Sequence, residues 1–234
     1  MSRTDDDGAQ IIYGRHPVDE ARRGRRRVRR VWTTADLSDG ELTRLAGSPE
    51  HQGVVAEVDP FPYVDPASLL ASPQSLLVAL DQVQDPHNLG AVCRSAEAAG
   101  ATGVVVPRRR AATVTAAACK ASAGALEHLP VARVTNLAEW LREAKEAGAW
   151  VYGAQAGAQT PYAQADLTGK LVLVLGSEGR GLRRLVAERC DLVVSIPLAG
   201  RVASLNVAAA AAVLLFEAAR QRGATRAADR GGGA

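Results

Sequence analysis

Five polar side chains in three short stretches have the types and spacing to handle a phosphate or a bound nucleotide. Asn88 and Arg94 lie in DPHNLGAVCRSAEAAG, residues 85–100, just after the apolar run 76–80. Glu178 lies in LVLVLGSEGRGL, 171–182, where a buried strand runs into a glycine-rich turn. Ser204 and Asn206 lie in the third stretch, IPLAGRVASLNVAAA, 196–210. A guanidinium can grip a phosphate through two parallel N–H bonds. An acid in a loop at the carboxyl end of a sheet sits where α/β folds bind ligands. Each feature also has a plainer role. Asn88 and Ser204 suit helix N-caps, where a side-chain oxygen accepts from a first-turn amide. Val207 occupies the position that would complete a capping box for Ser204. Asn206 is a mediocre helix former in a first turn. Ala208–Ala212 suits an ordinary core helix or a tightly packed helix interface.

The glycine loop fits neither common nucleotide motif. Gly176 and Gly181 have the P-loop gap, but Leu182-Arg183 follows, so the lysine and the magnesium-binding hydroxyl are missing. The order Gly-x-x-Gly-x-Gly also inverts the dinucleotide fingerprint and comes late in the sheet. His16, His51 and His128 show no ligand spacing with Cys or Asp, so no metal is expected. His87 adjoins Asn88 and is expected to be a surface residue.

The elements that must position these residues follow from hydrophobic pattern. Apolar runs fit strands at 76–80, 103–106, 131–134, 149–153, 171–175 and 192–196. Helical patterns lie at 89–99, 114–124, 136–147, 182–189 and 205–221. Strands apolar on both faces, alternating with helices, predict an α/β fold with a parallel sheet covered on both sides. The four prolines of 60–75 mark a linker between a small unit, 10–59, and a larger one, 76–222. The small unit is expected to hold a helix near Pro17–Arg23 and strands near Val28–Thr33 and Gly53–Val58. Residues 1–9 and 223–234 are expected to be disordered.

Hydrophobic residues make up 47% of the 234-residue chain and aromatics 4%, so the core must be built from Ala, Val and Leu. No run of eighteen apolar residues is present, which excludes a membrane-spanning helix. The polar, acidic start argues against a signal peptide. The three cysteines, in no CxxC pair, fit reduced thiols in a cytoplasm. Net charge is only +3, but arginine is concentrated at 22–30 and at 108–110. Such clusters attract phosphate backbones, or form a solvated face in a chain that prefers Arg to Lys. Arg15, Arg22, Arg23, Arg25, Arg26 and Arg27 are the candidate nucleic-acid contacts.

Taken together and in order, the three stretches resemble the motifs of the SpoU-type (TrmH-like) RNA ribose 2′-O-methyltransferases of the SPOUT superfamily. Asn88 and Arg94 match the first motif, Glu178 the second, and Ser204 and Asn206 the third. The resemblance covers about residues 76–221. IYGRHPVDEA and HQGVVAEV resemble the RNA-binding domain, similar to an L30e fold, of the enzymes that methylate a guanosine of 23S ribosomal RNA. Between Trp32 and His51 the chain is short for such a domain, with room for one helix.

The resemblance implies methyl transfer from S-adenosyl-L-methionine, a C-terminal trefoil knot and a homodimer through the methyltransferase domain. It implies a cofactor site lined by Leu175, Gly176, Ile196, Leu198 and Leu205. It makes Arg94, Asn88, Glu178, Ser204 and Asn206 the catalytic set. It assigns removal of the 2′-proton to Arg94. Arginine is ordinarily always protonated, so the substrate phosphate or water stays open as the acceptor, with Arg94 positioning it. Transfer RNA, an antibiotic-resistance target on ribosomal RNA, and a non-enzymatic ribosome-assembly role remain as other readings.

Overall fold

The structure, a computed structural model, describes residues 8–177 and 179–231, with side chains through 223. The chain divides into two compact units. The first takes the residues up to Tyr63 together with Pro86–Arg94 and Thr113–His128. The second takes Val64–Asp85, Ser95–Ala112 and the chain from Leu129 onward.

The first unit begins with β1 (Gln10–Tyr13), α1 (Arg15–Arg23), β2 (Val28–Thr33), α2 (Asp39–Ala46) and β3 (Val54–Val58). Its antiparallel sheet has the order β1-β3-β2. Ile12 stands opposite Ala56 on one side of β3, and Trp32 opposite Val55 on the other. Tyr13, Leu42 and Val55 form a small apolar cluster. α2 is the single helix expected before His51. Its start is fixed by a capping box in which Ser38 and Glu41 satisfy one another's backbone amides. β1 escaped the sequence reading, because four residues are too few to show a period. The unit also contains the start of α3 (Pro86–Ala98) and all of α4 (Ala116–Ala121). Thr115 caps α4 by accepting from the amide of Ala118. Gly90 of α3 lies against α4. A Cβ there would sit 2.4 Å from the Ala118 carbonyl oxygen, so the glycine is required by close packing.

The second unit is a seven-stranded sheet of β4 (Leu76–Asp81), β5 (Gly103–Pro107), β6 (Val131–Val134), β7 (Trp150–Ala154), β8 (Thr160–Pro161), β9 (Leu171–Gly176) and β10 (Leu192–Ser195). The strand order is β6-β5-β4-β9-β7-β10-β8, with every pairing parallel. β4 is buried along its whole length, as a strand covered on both faces requires. α5 (Leu137–Glu146) presents Leu137, Trp140, Leu141 and Ala144 to the core; α6 (Arg184–Ala187) and α7 (Val207–Gly231) follow.

Several expectations change. The stretch 60–75, expected as a linker, contains the border between the two units at Tyr63 and Val64, and parts of it are packed. The Val64 amide bonds the Val131 carbonyl, Phe61 and Leu69 are buried, and Pro66–Leu70 forms a 3-10 turn. Proline stops regular helix and strand, but it does not prevent burial. The helix predicted at 182–189 contracts to one turn, α6. The last helix runs on to Gly231, through residues expected to be a disordered tail. Residues 1–7 of the expected disordered start and the final 232–234 lie outside the described residues. Among the described residues no helix is long and apolar enough to cross a membrane.

Candidate active site

Parallel strands deliver all their carboxyl ends to one edge, which is where open α/β sheets bind ligands. Here the ends of β7, β9 and β10 and the loop leading into α7 enclose a cavity of about 390 Å³. That size lies in the usual range for small-ligand pockets, roughly 300–1,000 Å³. Leu175, Gly176, Ile196, Leu198 and Leu205, the five expected cofactor residues, all line it, and Ser204 joins them. The sequence reading missed Ala154, Gln155 and Ala156, which reach the cavity from the end of β7. No polar motif marks them, and only the strand order places them beside β9.

Local chemistry shapes the wall. At Gly176 an added Cβ would lie 2.2 Å from the Gly181 carbonyl carbon and oxygen, so the loop can fold back only over glycine. The Gly181 amide closes that fold on the Ser177 carbonyl at 2.9 Å. Beyond the loop, the fully buried carboxylate of Asp81 accepts from the backbone amide of Arg183 at 2.8 Å and from its guanidinium at 2.7 Å. Asp81 ends β4 and pairs with Gly176 in the sheet, so it ties both ends of the glycine loop to the neighbouring strand.

Asn206, not Ser204, caps α7. Its side-chain oxygen accepts from the amides of Ala208 at 2.8 Å and Ala209 at 3.3 Å. The expectation of Ser204 as cap fails because the helix begins at Val207, leaving Ser204 exposed on the cavity wall. Asn88 is likewise no cap. α3 starts earlier, at Pro86, where a residue without an amide proton is well placed. Asn88 is half-buried in the first turn, and Arg94 is exposed further along α3. Six residues apart, they are about 120° apart around the helix, so they do not share one face. Both belong to the first compact unit. Glu178 lies outside the described residues.

The candidate RNA contacts divide. Arg15, Arg22, Arg23, Arg25 and Arg27 are exposed. Arg26 is buried, and its assignment to RNA is corrected. Its guanidinium holds both carboxylate oxygens of Glu127, donates to Gln10 at 2.8 Å and to the Cys119 sulfur at 3.4 Å, and lies over the Phe61 ring. Such a network is an anchor of the first unit and is closed to a polyanion.

Among the described residues no group of three His, Cys, Asp or Glu side chains is arranged to hold a metal. The cysteines are free. Burial pushes the Cys190 thiol up to about 12 and that of Cys119 up to about 11, and raises Cys93 as well.

Known proteins place this geometry. Residues 75–216 match the SpoU rRNA Methylase family model. An uncharacterised tRNA/rRNA methyltransferase of Synechocystis is 41% identical over 92% of this chain. The chain spans 64% of that relative's length. The SpoU methyltransferase AviRb of Streptomyces viridochromogenes, solved with AdoMet, superposes with a TM-score of 0.77 at 32% identity, over 93% of this chain and 92% of that one. A solved RNA 2′-O ribose methyltransferase matches with a TM-score of 0.80 at 26% identity, covering 94% of this chain and 92% of its own. The chain belongs to the SpoU rRNA methylase family.

Proposed function

We propose that this protein transfers a methyl group from S-adenosyl-L-methionine to a ribose 2′-hydroxyl of RNA, and that its target is a guanosine of 23S ribosomal RNA. The observation that carries the reading is the cavity at the sheet's carboxyl edge. It gathers the second and third motif stretches around one largely apolar space bordered by backbone. S-adenosyl-L-methionine is the cofactor, held by Leu175, Gly176, Ile196, Leu198 and Leu205, where it supplies an electrophilic methyl group. Such a transfer is an in-line displacement, so the protein must align the hydroxyl with the methyl and let its proton leave.

In this reading Arg94 holds the phosphate beside the target ribose and promotes loss of the 2′-proton. Asn88, on another face of α3 from Arg94, orients the ribose, and Glu178 anchors Asn88 or the partner arginine. Ser204 offers a hydroxyl at the cavity wall. Asn206 spends its oxygen on the helix cap, so its remaining chemistry is that of an N–H donor. A trefoil knot and a homodimer belong to the same reading. The placement of late strand β9 between β4 and β7 supports the first. The second is supported by Phe216, which is exposed on α7.

The test is methyl incorporation from labelled S-adenosyl-L-methionine into deproteinised 23S RNA and into bulk transfer RNA, followed by mapping of 2′-O-methyl positions. One labelled guanosine in 23S RNA supports the whole reading. Labelling of transfer RNA keeps the chemistry and overturns the substrate. No labelling of either, with cofactor bound, favours the assembly-factor reading. Arg94→Ala is expected to abolish methylation while leaving cofactor affinity nearly unchanged; equal loss of both would remove Arg94 from its role.

A further inference from the structure

We propose that the RNA backbone is gripped on the methyltransferase unit itself, by Arg108, Arg109 and Arg110 at the carboxyl end of β5, rather than by the longer arginine run at 22–30. The inference rests on the reading above that RNA is the substrate. The two arginine clusters differ in how many of their members already face an anion.

Four of the seven arginines at 22–30 already face a carboxylate. Arg22 faces Asp19, Arg23 faces Glu20, Arg26 is buried on Glu127, and Arg29 sits between Glu57 and Asp59. Arg25 donates to the Glu127 backbone carbonyl, and Arg30 lies over the Trp32 ring, 5.0 Å from its centroid. Five carboxylates stand against these arginines, and each one repels an approaching phosphate. The same habit holds on the helices of the second unit, where Arg142, Arg184 and Arg220 pair with acids three or four residues away.

Arg108, Arg109 and Arg110 break the habit. All three are exposed, and among the described residues no carboxylate lies within ion-pair distance of any of them. Their turn is built to present them. Arg110 adopts a left-handed φ of 57°, which a non-glycine residue rarely holds. The turn is fastened on both sides, by the Arg108 amide to the Val134 carbonyl and the Ala112 amide to the Val83 carbonyl. Beneath it, Arg133 donates to the Arg108 carbonyl.

Position completes the argument. β5 and β9 flank β4, so their carboxyl ends stand about 10 Å apart at ordinary strand spacing. The cavity opens at the end of β9, where Arg180 lines it. A strand entering the cavity with one ribose would lay its neighbouring phosphates along this edge.

The test compares two triple variants with the wild type, Arg108→Gln/Arg109→Gln/Arg110→Gln and Arg22→Gln/Arg23→Gln/Arg27→Gln. Affinity for deproteinised ribosomal RNA and for bulk transfer RNA is measured across a salt series, and S-adenosyl-L-methionine affinity by calorimetry. For the 108–110 variant the expected result is RNA affinity down by at least about tenfold and a salt slope shallower by about 2–3, with cofactor affinity unchanged. For the 22–27 variant the expected loss is under about threefold, since Arg22 and Arg23 already face acids and Arg27 alone gives up a charge with no carboxylate beside it among the described residues. If the 108–110 variant keeps its affinity and slope, or the 22–27 variant loses more, the proposal is overturned while the methyltransferase reading stands. A wild type that binds S-adenosyl-L-methionine but shows salt-insensitive RNA binding overturns it as well, and points to a protein partner for this edge. Failure of the wild type to methylate any RNA counts against the proposed function, and is read separately from these binding data.

Discussion

Arg26 sits in the most basic stretch of the chain, and nothing in its neighbours' types sets it apart. Its partner Glu127 is 101 residues away, so no local pattern could reveal that this one arginine turns inward. Breaking a buried pair leaves an uncompensated charge, which costs more than the pair itself contributes. Arg26→Ala is therefore expected to lower unfolding free energy by about 3–5 kcal/mol in a urea titration, while Arg27→Ala stays within about 0.5 kcal/mol. Equal effects would mean that the Arg26 site is wet. A second residue-scale prediction concerns the thiols. With Cys119 raised to about 11 and Cys190 to about 12 by burial, the reactive thiolate is scarce at pH 8. Iodoacetamide at that pH should leave native protein unmodified and label all three cysteines once it is unfolded. Rapid native alkylation of the half-buried Cys190 would refute its desolvation.

Elements were far more legible than side-chain partners. Six strands of the parallel sheet were readable because each is a short run apolar on both faces, and such runs stand out from helical spacing. The six residues placed by motif at the cavity are there for the same reason: they end those strands or follow them. What the pattern could not supply was the boundary of a helix made largely of alanine, and with it the roles of Ser204 and Asn206. Alanine continues a helix in either direction, so only the cap geometry fixes the start. The two residues can be separated by experiment. Asn206→Ala removes the cap of α7 and should cost about 1 kcal/mol of stability. Ser204→Ala should leave stability within about 0.5 kcal/mol and weaken S-adenosyl-L-methionine binding or turnover, because Ser204 contributes only to the cavity wall. A stability loss confined to Ser204→Ala would reverse the assignment.

At the scale of the whole molecule, the first compact unit is not a contiguous piece of sequence. Composition drew a border at the prolines of 60–75. The unit crosses that border twice, taking in Pro86–Arg94 and Thr113–His128. Its interior depends on those insertions. The Gln10 side-chain amide donates to the Val114 carbonyl at 2.7 Å, the Val114 backbone amide donates to the Tyr63 hydroxyl at 2.9 Å, and Glu20 meets His128 at 2.8 Å. Arg26 has no carboxylate partner other than Glu127 among the described residues. A fragment ending at residue 75 keeps the three-stranded sheet but loses all of these partners, and leaves the Arg26 guanidinium without its carboxylate. At this length a domain has little core to spare, so the loss should be decisive. The fragment is expected to lack a cooperative thermal transition and dispersed amide resonances, whereas the intact chain shows both. A fragment that folds cooperatively would show that the three-stranded sheet is self-sufficient, and would restore the proline stretch as the true domain border.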